Sequence, residues 1–281
     1  MSQFKPQQDI ELGPYTTLEI GGPAKWYAEV SSEDEVCEAL AWAKKKGVEV
    51  IVLGGGSNVL IADAGLNALV IRVRIEGIRY RKGELIVGAG ENWDDFVAYT
   101  VERGFAGVEC LSGIPGDVGA APMQNIGAYG QEVSSSISLV RCIRRSDGEV
   151  VEFANEECEF AYRQSHFKQA GRDAYIVTQV RFKLELNGTP QVAYAELERA
   201  MLGRPRTLAL VREAVIELRA DKSMVLIDKE DPNHRSVGSF FVNPNVEATQ
   251  LATLEKPAEE AAPGQEIPRF EVDTANNVPA A

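Results

Sequence analysis

The sequence predicts an α+β protein whose chain divides at about residue 187. Three observations carry this expectation. A β-α-β order fills the first part of the chain, a second group of short strands around one helix follows it, and Asn187-Gly188-Thr189-Pro190 then breaks the chain before helical periodicity returns. A length of 281 residues is enough for two domains, or for one large α/β unit with an insertion.

The first element is a strand over residues 25–30. Ser32 and Glu35 have capping-box spacing, and Val36, Leu40 and Ala43 recur at helical intervals up to Gly47, so a helix is predicted over 33–46. Val48 to Leu53 is an apolar, β-branched run that stops at three glycines and completes the β-α-β unit. Strand patterns follow at 68–73, 77–81 and 85–88. Trp93, Phe96, Val97 and Val101 then place apolar groups on one face of a helix ending at Gly104. Two strands, 137–144 and 149–153, flank the turn Ser146-Asp147-Gly148, and 175–186 alternates as one long strand. Helices are predicted at 195–202 and 208–219, the second burying Leu210, Val211, Ala214, Val215 and Leu218. From Val246 onward seven acids, two bases, four prolines and eight alanines give loop composition, so the tail 246–281 is expected to be loop-like.

Composition excludes several classes. No apolar run approaches the ~20 residues of a bilayer span, and Met1 to Leu12 lacks the basic flank and apolar stretch of a secretory signal, so no membrane association and a cytoplasmic location are expected. Cys37, Cys110, Cys142 and Cys158 show no Cys-x-x-Cys spacing and read as small buried apolar residues. His166 and His234 are too far apart for a helical metal pair, so no metal site is expected. A formal charge of −13 argues against a nucleic-acid partner. It leaves room for an anionic small molecule held by a few cations and by backbone amides.

Four segments carry chemistry. Ile51 to Leu60 runs from a strand into Gly54-Gly55-Gly56-Ser57-Asn58, whose amides could nest a phosphate; taken alone, the glycines equally fit a tight turn between strands. It is not the Gly-x-Gly-x-x-Gly of a dinucleotide-binding β-α-β unit. Leu111 to Gly130 holds five glycines at 113, 116, 119, 127 and 130 with two prolines, leaving many exposed backbone donors suited to a pyrophosphate and a flat ring, although on composition alone it also fits an ordinary turn cluster. The remaining two are Tyr162-Arg163-x-Ser165-x-Phe167-Lys168 and Gly238-Ser239-Phe240-Phe241-Val242-Asn243-Pro244. Singly, each of these also fits a surface pair or a strand start.

Together and in this order, the four segments resemble the UDP-N-acetylenolpyruvoylglucosamine reductases. The match runs from about Leu12 to Pro244 and includes Thr17-Leu18-x-Ile20-Gly21-Gly22 and Gly88-Ala89-Gly90-Glu91-Asn92-Trp93. The resemblance implies an FAD-binding core of two subdomains, about 1–70 and 71–186, of the kind shared with vanillyl-alcohol-oxidase-like flavoproteins. It also implies a substrate-binding domain over 187–281, incomplete here. By the same resemblance FAD is held non-covalently by Gly54, Gly55, Gly56, Ser57, Asn58, Gly113, Ile114, Pro115, Gly116, Gly119, Ala120, Gln124, Asn125, Gly127, Ala128 and Tyr129, with Arg219 near its phosphates.

The implied reaction has two halves, in which NADPH reduces the flavin and the reduced flavin passes hydride to the enolpyruvyl group of UDP-N-acetylglucosamine enolpyruvate. Arg163 matches the active-site arginine, suited to the substrate carboxylate through two parallel hydrogen bonds. Ser239 matches the serine that protonates the neighbouring carbon. Tyr162, Tyr194, Lys222 and Asn243 match substrate-binding positions, and Tyr194-Ala195-Glu196-Leu197 suggests a mobile tyrosine loop. A monomer is expected.

The family carries a terminal segment with a proton-transfer glutamate, and no residue here matches it. The chain is therefore expected to be a truncated or fragmentary form, with two alternatives kept beside the reductase: an impaired FAD- or sugar-nucleotide-binding relic, or a related flavoprotein oxidase.

Overall fold

The computed structural model describes residues 4–224, 231, 233 and 235–237. Its first layer is a four-stranded sheet. Strand β1 (Gln7–Glu11) lies antiparallel on β2 (Pro23–Val30). Helix α1 (Glu33–Lys46) then carries the chain over to β3 (Val50–Leu53), and β4 (Leu66–Val73) inserts between them, parallel to both, in the order β1-β2-β4-β3. The register places Leu53 beside Arg72, so the glycines that follow Leu53 leave the sheet next to that arginine.

Helix α1 forms over the predicted residues. The Ser32 hydroxyl accepts the Glu35 amide at 3.2 Å, three acids occupy the first turn and three lysines the last, and Gly47 closes it at φ +66°. Such a cap contributes about 1 kcal/mol, and charges at both ends suit the helix dipole. Val36, Ala39, Leu40 and Ala43 are buried against the sheet.

The second layer is a five-stranded antiparallel sheet in the order β11-β10-β12-β6-β5. Its first strands are β5 (Ile78–Arg81) and β6 (Glu84–Gly88), followed by α2 (Trp93–Glu102) and a two-residue strand β7 (Phe105–Ala106). A small hairpin of β8 (Gly127–Ala128) and β9 (Gln131–Glu132) precedes β10 (Ile137–Arg144), β11 (Val150–Ala154) and β12 (Tyr175–Phe182). Trp93, Phe96 and Phe182 meet at ring distances of 4.7 to 6.1 Å in its core, and the Trp93 indole N–H donates to the Leu111 carbonyl at 2.9 Å.

The long strand expected over 175–186 is broken. Strand β12 ends at Phe182, the Lys183 amide donates to the Ser136 carbonyl, and β13 (Glu185–Leu186) pairs with β7 instead. Alternation persists through the break because Leu184 is buried in the same core, which hides the change of partner from the sequence. Strand β1 gives no sequence signal, since its residues are polar and mostly exposed on a sheet edge.

Glu33 at the start of α1 joins the two sheets. It takes two Arg141 contacts of 2.8 Å and the Thr178 hydroxyl at 2.7 Å, and the Arg141 guanidinium first, against burial, holds its carboxyl below the usual range. The chain ends its described course with α3 (Ala195–Ala200) and α4 (Leu208–Ala220). Val211, Ala214 and Val215 of α4 are buried with Cys110, Val192, Leu197 and Met201, while Leu210 and Leu218 pack at the margin. Cys110, Cys142 and Cys158 are buried free thiols, and Cys37 is half-buried. No helix among the described residues is long and apolar enough to cross a membrane.

Candidate active site

The two glycine-rich segments lie against each other. The Ser57 hydroxyl donates to the Pro115 carbonyl at 3.3 Å, and a methyl group on Gly55 would stand 2.7 Å from the Gly116 Cα, so only glycine permits the approach. The Gly56 carbonyl accepts the Thr17 amide at 3.0 Å, tying the loop to the segment after β1. On the other side a Cβ at Gly54 would touch the Ala120 methyl, and the Gly119 amide donates to the Ala89 carbonyl at 2.8 Å. Residues 54–58 and 113–120 thus form one bipartite cradle over the junction of the sheets.

Buried polar atoms without partners gather at this cradle. Among the described residues they are Asn58 Oδ1, Arg72 Nε, Asp117 Oδ2, Arg219 Nε and, elsewhere, Arg181 Nε. Four of the five belong to residues on or against the two loops, where an orphaned buried group costs about 1–3 kcal/mol each. Such concentration marks a place prepared for a polar ligand rather than a packing defect. Arg219 approaches Gly113, and burial draws its pKa below the usual arginine value while Tyr129 and Asp94 pull the other way. A cofactor with a pyrophosphate, hydroxyls and a heteroaromatic ring suits this set of glycine amides, amide oxygen, carboxyl and guanidinium N–H groups, so FAD fits the residues present.

The second loop is braced from α2 and α4. Asp94 Oδ1 accepts the Gly113 amide at 2.6 Å, and the same carboxylate holds both Nη atoms of Arg212 at 2.6 and 2.8 Å. Burial alone would raise this carboxyl, but Arg212 and the Gly113 amide outweigh it and hold it below the usual range.

Beyond the cradle, the hairpin β8–β9 carries the remaining candidates. Arg163 stands at its base, where Nη2 donates to the Gly127 carbonyl at 2.6 Å and Nη1 reaches the Asn125 carbonyl at 3.4 Å. It occupies the third position of a tight turn closed by mutual Ala161 and Gln164 bonds of 3.1 Å, at φ +54°, a conformation such turns usually give to Gly or Asn. Backbone strain of this kind persists where the surroundings over-determine it. Asn125, itself at φ +44° and 1% exposed, provides that determination. Its amide donates to Glu132 at 2.9 Å and to the Ala161 carbonyl at 3.1 Å, and its oxygen accepts the Ser134 amide.

At the hairpin tip, Tyr129 meets Tyr194 edge-on at 5.8 Å, with the Lys222 ammonium 5.7 Å from the Tyr129 ring. Lys222 pairs with Glu196 at 2.8 Å, a contact that keeps the amine above its ordinary pKa. Tyr194 is the N-cap residue of α3 and stays half exposed, as does Tyr162, whose ring lies 5.2 Å from the Arg163 guanidinium.

The structure therefore gathers Tyr129, Tyr194, Lys222 and Arg219 around the hairpin tip, with Arg163 and Tyr162 at its base. Ile114 and Ala128 pack partly into the core, and Gln124 is half-buried in the loop between the two. Ser239, Asn243 and the tail 246–281 lie outside the described residues. The sequence alone assigns no role to Asp94, Asp117 or Arg212, and it shows Glu196 only as part of the tyrosine loop. Asp94 has a legible signal as an acid in the first turn of a predicted helix, and Asp117 lies inside the glycine segment 111–130.

A two-sheet core whose paired glycine loops close over orphaned polar atoms defines a cofactor-binding flavoprotein fold. Residues 24–154 match the family model described as an FAD binding domain. The chain is 45% identical over 251 residues to the UDP-N-acetylenolpyruvoylglucosamine reductase of Streptomyces coelicolor, covering 88% of this chain and 65% of that protein. It is 43% identical to that of Thermobifida fusca, covering 87% of this chain and 70% of its relative. Among solved structures, the UDP-N-acetylenolpyruvylglucosamine reductase of Thermus caldophilus superposes with a TM-score of 0.63 at 30% identity, over 89% of this chain and 79% of that one. The chain belongs to the UDP-N-acetylenolpyruvoylglucosamine reductase family, and it spans about two thirds of the length of these curated relatives.

Proposed function

We propose that this protein reduces UDP-N-acetylglucosamine enolpyruvate to UDP-N-acetylmuramate with NADPH, in the cytoplasm and as a monomer, through non-covalently held FAD. The observation that supports it best is the cluster of orphaned polar atoms where the two glycine loops meet, in a chain of this family. FAD, when bound, supplies the hydride relay between the nicotinamide and the enolpyruvyl carbon.

Gly54 to Asn58 and Gly113 to Tyr129 hold and orient the cofactor, with the Arg219 guanidinium toward its phosphates. Arg163 binds the substrate carboxylate. Its backbone is fixed by the Ala161–Gln164 turn and its guanidinium by two carbonyls, so little reorganisation accompanies the growth of negative charge. Ser239 gives the proton to the carbon next to the carboxylate. Tyr162, Tyr194, Lys222 and Asn243 contact the sugar nucleotide, and the edge-on contact of Tyr194 with Tyr129 supports a tyrosine that closes over it. In this reading the cofactor part ends near residue 186 and the substrate part begins at 187. His166, which a histidine-linked oxidase would need free, instead packs its ring 5.3 Å from Phe153 with Nδ1 3.7 Å from Glu159.

The test follows both half-reactions anaerobically in FAD-loaded wild type and Ser239→Ala. Rapid bleaching by NADPH in both, with reoxidation by the enolpyruvyl nucleotide nearly lost only in the variant, is the expected result. Equal slowing of both halves removes Ser239 as proton donor, and no reoxidation of the wild type removes the proposed substrate.

A further inference from the structure

Asp117 is an unexpected residue at an anion-binding cradle. The residue is 7% exposed and its Oδ2 has no partner; a Cβ on Gly54 would stand 3.8 Å from that Oδ2, and one on Gly55 would stand 3.2 Å from Oδ1. Its backbone is fixed by a bridge to Asn92, by the Trp93 amide donating to the Gly116 carbonyl at 2.9 Å, and by the Val118 amide donating to the Glu91 carbonyl at 2.8 Å. The carboxyl is therefore held at the cradle with a free oxygen.

The charged groups around it are few. Arg72 on β4 and Arg74 just after β4 favour its ionised form, Glu76 opposes it, and Glu91 is engaged with the Gly77 amide at 2.5 Å. Residues 54–58 add no charge. Arg72 lies over the Tyr15 ring and 3.6 Å from Glu29, and no hydrogen bond or ion pair joins it to Asp117. Burial outweighs both arginines and pushes the carboxyl up to about 6. A second negative charge, brought by a pyrophosphate into the same nest, would oppose ionisation further.

We propose that the protonated carboxyl of Asp117 donates a hydrogen bond to bound FAD, so that the cofactor enters the cradle together with one proton. The inference rests on the cofactor reading above. It turns the orphaned oxygen into a donor facing a phosphoryl or hydroxyl oxygen, and it removes the like-charge conflict between an aspartate and an anionic ligand. FAD has no group of its own that titrates near neutrality, so the proton taken up belongs to the protein.

The experiment titrates the apo full chain with FAD by flavin fluorescence between pH 5.5 and 8.5, for wild type and Asp117→Asn. Calorimetry in MES, HEPES and Tris then counts protons. With a carboxyl near 6, wild-type affinity falls by about fifty-fold between pH 6 and 8, and close to one proton is taken up per FAD at pH 7.5. Asp117→Asn keeps a donor at the same place, so its affinity is nearly flat with pH and exceeds that of wild type at pH 8. Wild-type affinity that is flat or rises with pH, or no proton uptake, overturns the inference while leaving the cofactor site standing. Absence of FAD binding at every pH overturns both. The wild-type titration decides the matter even if the variant does not fold.

Discussion

The carboxylate of Asp94 at the start of α2 clamps the guanidinium of Arg212 on α4 through contacts of 2.6 and 2.8 Å while accepting the Gly113 amide. One side chain thus joins the cofactor loop to the helix that carries Arg219 a further two turns along. Asp94→Asn is predicted to lower stability by about 2 kcal/mol, below the range for fully buried pairs because each side chain keeps about a fifth of its surface exposed. Because its folded pKa is depressed, the contribution is present above the unfolded carboxyl value of about 4 and is lost as pH falls through the folded one. Urea unfolding at pH 7 should therefore separate the two proteins, and unfolding in acid should bring them together.

Gly55→Ala would place a methyl 2.7 Å from the Gly116 Cα and 3.1 Å from its carbonyl carbon. Backbone faces backbone there, so one loop must move. A loss of about 1–3 kcal/mol is expected from overpacking, with at least a tenfold loss of FAD affinity by fluorescence titration. An affinity equal to wild type would show that the close approach of the loops does not shape the cofactor site.

Asn125→Ala should be more damaging than most loop substitutions. It removes the partners of Glu132, the Ala161 carbonyl and the Ser134 amide at a position 1% exposed, and puts alanine at φ +44°. About 3 kcal/mol of destabilisation by urea midpoint is expected. The turn that carries Arg163 loses its anchor, so kcat for the enolpyruvyl nucleotide should fall at least as much as KM rises.

Asp117→Asn should stabilise the apo-protein in mild alkali. The folded carboxyl sits near 6 against an unfolded value of about 4, so the neutral form is the stabilising one. Its contribution is fully present below the unfolded value and is lost as pH rises through 6. The variant should gain about 2–3 kcal/mol over wild type at pH 8 and little at pH 4, by thermal unfolding without FAD.

Much of this fold was legible because its signals are local. Capping at Ser32 and Gly47 and the apolar stripe of Val36, Leu40 and Ala43 bound α1 to the residue, and the glycine segments marked the cradle before its geometry was known. The break after β12 is hidden in the sequence because Leu184 keeps the alternation while the chain changes sheets. Asp94, Arg212 and Asp117 acquire meaning only through contacts between segments distant in the chain: Asp94 to Arg212 spans 118 positions, and nothing in either local pattern points to the other. Orphaned atoms such as Asn58 Oδ1 and Arg219 Nε are likewise invisible until burial is known.

The flavin content of the purified protein, after incubation with FAD and removal of the excess, tests the cradle most directly. Acid precipitation should leave the pellet colourless and release close to one FAD per chain into the supernatant. Protein that stays colourless after incubation, or colour retained in the pellet, would contradict a non-covalent FAD held between residues 54–58 and 113–129.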